Sequence, residues 1–343
     1  MQTTDRTAGI DYNVQVIRVI SFVMVVAIHV TNYYCRAYGS VTESEYVFAL
    51  AADTLSRVSV PCFFMISGAF LLGMQDTFSV YIRRLGRFAL ALTVWSAVYC
   101  IWNYTVFGET YSLKKFLYLP AEAHLWYLYA MIPIYLVMPF FQILCAHLGE
   151  KWEKVFLVVI TAAVVFNYLI SLIGVQAYYD VPLVGDRVYA FYVFAGYYLY
   201  KYRERIKVSR KAAAAVFWAC AAACTGLTWF VSAQDGVHYE KVLQYGDPLI
   251  ILMSAAFFLY FLRIRDGRIS LGDKSRRAVD ICCECSFGVY LIHILFLDTF
   301  KKYVAPEDLS AWIAIPLLIP AIVAVSLVCV RLLRLCSIGR KIT

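Results

Sequence analysis

The sequence predicts an all-α, polytopic integral membrane bundle of about ten transmembrane helices. Three observations predict it. The chain of 343 residues is 62% hydrophobic and only 16% charged, whereas soluble domains run nearer half apolar and a quarter charged. Apolar stretches of about twenty residues, each long enough to cross a bilayer, recur along the whole length, and the mean hydropathy is +0.69. The 27 Tyr cluster near the ends of those stretches, where an amphipathic ring suits the headgroup zone. This composition excludes a soluble globular protein. The net charge of +8 points to basic loops at a membrane face rather than to nucleic acid.

Taken in order, the spans are expected at 14–33, 46–73, 88–104, 124–145, 155–173, 188–200, 212–232, 248–262, 279–300 and 311–330. The first is long, its preceding charges are mixed, and it contains Arg18 and His29, which the core of a signal peptide would not carry; it reads as a retained helix. The sixth is short, with Tyr-rich ends. No repeat period and no linker divides the chain, so a single membrane domain is expected over 1–343. With the N-terminus in the cytoplasm, 22 of the 31 Lys and Arg fall in inside segments, 7 fall outside, and Arg18 and Arg57 lie within spans. Positive charge favours the cytoplasmic side, so both termini are expected there.

Of the 11 Cys, most lie in apolar segments, where a thiol behaves as a small hydrophobe. Cys282, Cys283 and Cys285 cluster, but no neighbouring His or second Cys pair completes a zinc set, so no metal is expected.

Ionisable groups inside a span are costly and are functional candidates by default. Arg18 and His29 are eleven residues apart, so they share one helix face at roughly 16 Å separation. Arg18 sits near the cytoplasmic end and His29 deeper, an arrangement that suits a long ligand with an anionic head. It suits equally a snorkelling Arg and a His satisfied by a nearby carbonyl. In the second span Asp53 and Arg57 form an i,i+4 pair, structural or functional. Ser67-Gly68 reads as small-residue helix packing, because no nucleophile elbow surrounds Ser67. Arg83, Arg84 and Arg87 form a fork suited to phosphates, or they simply flank a helix at the basic face. On the outer side lie Glu122, His124 and Trp126, with Tyr127 and Tyr129 beside them. Asp180, Asp186 and Arg187 follow, then His293 and Asp298. They could line an acceptor pocket, or belong to an aromatic belt and ordinary loops. His147 and His238 are given no role.

Six of these segments, in order, resemble the acyltransferase 3 family of bacterial membrane acyltransferases. They are Arg18-x10-His29; R-V-S-V-P-C-F-F-M-I-S-G at 57–68; F-x-x-x-x-R-R-x-x-R at 78–87; H-L-W-Y-L at 124–128; F-A-G-Y-Y-L at 194–199; and S-F-G-V-Y-L-I-H at 286–293. The chain departs from the family pattern at Val19, where Gly is frequent, and at Gln15, near which an Asp is frequent. No appended extracellular hydrolase-like domain is expected. The I-H-V-T-N that closes the first motif looks closest to the O-acetyltransferases of envelope glycans.

The resemblance implies a bacterial inner-membrane enzyme that moves an acyl group, acetyl foremost, from cytoplasmic acyl-CoA to a hydroxyl of an envelope glycan or lipid-linked sugar. Acyl-CoA is then the donor substrate, and membrane lipids surround the bundle. On this reading Arg83, Arg84 and Arg87 hold the CoA phosphates and Arg18 guides the pantetheine arm. His29 serves as general base or as acyl carrier, and Arg57 stabilises the oxyanion. Glu122, His124, Trp126 and His293 contact the acceptor. Two rival readings are a transporter of a small substrate and a non-catalytic subunit of a polysaccharide export system. The chain lacks the internal repeat that many transporters carry.

Overall fold

In the computed structural model, residues 11–175, 188–263 and 272–343 are described. They form helices α1 (Tyr12–Cys35), α2 (Glu43–Ser56), α3 (Ser59–Leu71), α4 (Phe78–Phe107), α5 (Trp126–His147), α6 (Glu150–Leu172), α7 (Tyr189–Lys201), α8 (Arg210–Asp235), α9 (Pro248–Leu262), α10 (Asp273–Tyr303), α11 (Ala311–Leu333) and α12 (Ser337–Ile342), and no strand. Nine segments among the described residues, with α2 and α3 taken as one, are long and apolar enough to cross a membrane. The predicted sixth span is α7, a helix of 13 residues and too short to be counted with them. Large apolar side chains stand exposed around the rim, Phe140, Val158 and Leu317 among them. On a soluble monomer such a girdle would be an aggregation surface; on a multi-pass membrane protein it meets lipid.

Hydrogen bonds between helix ends show how the chain runs. Where α1 begins, Tyr12 donates to Asp280 near the start of α10 (3.3 Å), and Tyr200 near the end of α7 donates to Asp11 (3.1 Å). Where α1 finishes, Tyr33 donates to the Val304 carbonyl just past α10 (2.8 Å), and Tyr34 to the Leu309 carbonyl ahead of α11 (3.0 Å). Thus α1 and α10 run parallel, while α7 and α11 run against them. The end where α1 begins is termed the lower end, and the opposite one the upper.

Two local features shape the interior. The second span, expected to be continuous, breaks at Arg57 and Val58 between α2 and α3. Pro61 explains the break, because it has no N–H to give the Arg57 carbonyl and its ring crowds that carbonyl. The second feature is the crossing of α3 and α7. A Cβ on Gly68 would lie 1.8 Å from the Val193 carbonyl oxygen, and one on Gly196 would lie 2.1 Å from that of Met65. The two backbones therefore touch, which only glycine permits. Two of the motifs, S-G at 67–68 and F-A-G-Y-Y-L at 194–199, are the two sides of this one contact. Ser67 spends its hydroxyl on the Phe63 carbonyl of its own helix (3.0 Å), as the packing reading expects.

Candidate active site

A cavity of about 1060 Å³ runs through the bundle, bordered by α1, α3, α4, α5, α7 and α10. Its lower end holds Arg18, Arg84, Arg87 and Arg334; its middle holds His29, Arg57 and His124; its upper end holds Asn32, Arg36, Glu122, Glu240, Asp298 and Lys301. The shared face of Arg18 and His29, expected from their spacing, is the α1 wall of this cavity.

The middle is built from three histidines. His29 lies half-buried on α1, and the ring centroids of His293 and His124 stand 5.1 Å and 6.4 Å from its own. His124 and His293 are 5.4 Å apart. Both are buried, at 1% and 0% exposure. His124 sits on a 3-10 turn (Ala123–Leu125) at the head of α5, fixed by Tyr290, whose hydroxyl donates to its carbonyl (2.6 Å). Its Nε2 faces the Leu291 carbonyl at 3.4 Å, and Nδ1 has no partner among the described residues. His293 Nδ1 donates to the carbonyls of Tyr290 (2.7 Å) and Val289 (3.1 Å), and its Nε2 has no partner among the described residues. His293 stands behind the cavity wall and does not line it. From the sequence it is expected to contact an acceptor; its Nδ1 is turned into its own helix and its ring packs against those of His29, His124 and Tyr290.

Arg57 reaches the middle from the α2–α3 break, paired with fully buried Asp53. A guanidinium so placed keeps donors aimed into a low-dielectric space while its charge is balanced from behind.

At the lower end the expected fork of three arginines divides. Arg84 and Arg87 line the cavity, Arg84 paired with Asp76 and Arg87 lying over the Phe287 ring at 5.9 Å. Arg83 is exposed and off the cavity, because one residue on a helix turns the side chain by about 100°. Arg18 takes its place in the cluster, making no hydrogen bond or ion pair with the described residues. Arg334, just past α11, joins them; in the sequence it was indistinguishable from the basic residues that mark a membrane face.

At the upper end Trp126 forms a layered aromatic wall with Tyr189 (5.1 Å, 31°) and Tyr245 (6.1 Å, 30°). Tyr189, at the Tyr-rich start of the sixth predicted span, was given no role from the sequence, and Tyr245 lies ahead of the span predicted at 248–262. Glu122 lines the cavity and takes hydrogen bonds from Ala123 N (3.0 Å) and Asn103 (3.2 Å). Tyr127 lines the cavity, while Tyr129 turns away from it and donates to the Phe116 carbonyl (2.5 Å). Asp180, Asp186 and Arg187 lie outside the described residues, as do Arg6, Arg265 and Arg268. Cys283 lines the lower cavity, and all eleven cysteines are free. Among the described residues no group of three or more His, Cys, Asp and Glu is placed to hold a metal ion.

A family model described as an acyltransferase domain, that of acyltransferase 3, matches residues 11–331. No curated protein and no solved structure matched.

Proposed function

Since the chain belongs to the acyltransferase 3 family and is a multi-pass membrane acyltransferase, we propose that it moves an acyl group, acetyl foremost, from acyl-CoA to a hydroxyl of an envelope glycan or lipid-linked sugar. One observation carries the reading: a single cavity joins an arginine cluster at one end to an aromatic, mixed-charge end at the other, with histidines and Arg57 between. Lys and Arg are more numerous at the lower end, which supports reading that end as cytoplasmic; the membrane, in this reading, is a bacterial inner one.

In this reading Arg18, Arg84, Arg87 and Arg334 bind the phosphates of the CoA, and the pantetheine arm follows α1 to His29. The acceptor comes from the upper end, its sugar ring against Trp126 and its polar groups near Glu122. The acceptor oxygen attacks the thioester carbonyl carbon as His29 takes its proton. Arg57 donates hydrogen bonds to the oxyanion. The carbon–sulfur bond then breaks, the proton on His29 goes to the leaving thiolate, and an ester and free CoA thiol remain. His124, whose Nδ1 lacks a partner, accepts a hydrogen bond from the sugar.

The test is binding and turnover of acetyl-CoA by purified protein, comparing wild type with His29→Ala and with Arg87→Ala/Arg334→Ala. The expected result is turnover lost and binding kept in the histidine variant, and binding lost in the arginine variant. A wild type that binds no acyl-CoA, or a His29→Ala variant with full turnover, would overturn the reading.

A further inference from the structure

The three histidines contain a proton count that the acyl-transfer reading does not use. In the neutral state each imidazole carries one N–H. A carbonyl oxygen only accepts, so the N–H of His293 is on Nδ1, bonded to Tyr290 and Val289, and that of His124 is on Nε2, toward Leu291. What remains is two bare acceptors, His293 Nε2 and His124 Nδ1, both buried and without partners among the described residues. A single N–H is left over, that of His29.

Distance decides which acceptor receives it. Imidazoles with centroids 5.1 Å apart, as in His29 and His293, can bring facing nitrogens to about 2.9 Å, a hydrogen bond. Rings 6.4 Å apart, as in His29 and His124, leave their nearest nitrogens at roughly 4 Å, out of reach. His293 also stands behind the cavity wall, so a bond to it draws the His29 N–H away from the substrate and leaves the other His29 nitrogen bare toward the cavity. Hydrogen bonds of this kind are often long before substrate binds and shorten in the working complex.

We propose that His293 is the positioning residue of the acyl transfer: its Nε2 accepts the N–H of His29, so that the nitrogen His29 presents to the acceptor hydroxyl is the unprotonated one. The proposal rests on His29 being the base. When His29 takes the hydroxyl proton it becomes an imidazolium with two N–H groups. One stays on His293 and the other is delivered to the thiolate of CoA. His293 itself gains and loses no proton. It does for His29 what a carboxylate does for the base of a hydrolase triad, but as a neutral group, which avoids placing a second charge in the bundle interior.

The experiment follows thiol release from acetyl-CoA, together with acetyl-CoA binding, in His293→Leu and His293→Gln. Gln can set its amide oxygen near the place of Nε2 and accept from His29, whereas Leu offers no acceptor. The expected result is a kcat about 100-fold lower in His293→Leu, with KM and binding unchanged, and most of the rate restored in His293→Gln. Wild-type rates in His293→Leu would overturn the proposal. So would equal loss in both variants, which marks a packing role. If His29→Ala is also fully active, the base assignment fails instead, and the two failures are distinguished.

A measurement on unaltered protein avoids any folding defect. The chain has 5 His, so its 15N-histidine spectrum is tractable. A coupling across the N–H···N bond between His29 and His293 is expected in the complex with acetyl-CoA. A His29 ring that averages between its two tautomers there would overturn the proposal.

Discussion

Asp53 clamps Arg57 from one helical turn earlier: its Oδ2 lies 2.7 Å from Nη2 and 2.8 Å from Nε. Its Oδ1 accepts from the Thr31 hydroxyl at 3.2 Å. Thr31 is two residues beyond His29 on α1, so one carboxylate ties the Arg57 guanidinium to the helix that carries His29.

Removing one partner of such a pair leaves the other charge buried. Asp53→Ala is expected to cost about 3–5 kcal/mol, read as a lower unfolding temperature of detergent-solubilised protein. Arg57→Lys keeps the charge but loses the fork, and is expected to reduce kcat about 100-fold with little change in acetyl-CoA binding. An Asp53→Ala protein as stable as wild type would show that the pair contributes nothing to holding the break.

The contact of α3 with α7 makes an opposite pair of predictions on neighbouring residues. Gly68→Ala and Gly196→Ala place a methyl into facing backbone and are expected to destabilise by at least about 1–3 kcal/mol, seen as loss of monodisperse protein on size exclusion. Ser67→Ala, whose hydroxyl bonds its own helix, is expected to keep turnover within about 5-fold, since a single neutral hydrogen bond contributes roughly 1 kcal/mol.

The arginines separate by where they point. Arg83→Ala is expected to bind acetyl-CoA as wild type does. Arg87→Ala and Arg334→Ala, each losing a charge-assisted phosphate contact of about 1.5–3 kcal/mol, are expected to weaken binding at least 10-fold. Isothermal titration calorimetry reads all three. Weakened binding in Arg83→Ala alone would move the donor site off this cavity.

Glu240 gives a pH prediction. Burial pushes its carboxyl up, but hydrogen bonds from Asn32 and Arg36 prevail and hold it below its ordinary 4.5. A depressed carboxylate stabilises the fold above its unfolded pKa, and that contribution is lost as pH falls through the folded value. Glu240→Gln is therefore expected to flatten the decline in unfolding temperature on the acid side of 4.5, measured from pH about 6 downward. Curves of equal slope for variant and wild type would show that the tie from α1 to the upper loop is not formed in solution.

Several of these particulars could be read without coordinates. Apolar length is a local property, so the spans were legible from composition alone. The shared face of Arg18 and His29 follows from helix periodicity. The break at Arg57 had a visible signal in Pro61, four residues on, although the apolar run around it masks the signal. The match of residues 11–331 to the family agrees with the six motifs that suggested it.

What the amino-acid sequence by itself determined was that the chain enters the membrane many times and which ionisable groups it carries there, because the cost of polar groups in hydrocarbon acts residue by residue. Only the tertiary structure decided which of those groups meet. Helix rotation about its own axis is set by packing against neighbours, as at Gly68 and Gly196, and not by hydropathy. That rotation turned Arg83 and Tyr129 out of the cavity and set His293 against His29 behind the cavity wall, while Arg334, just past α11, and Tyr245, in the turn before α9, line the cavity from connecting segments.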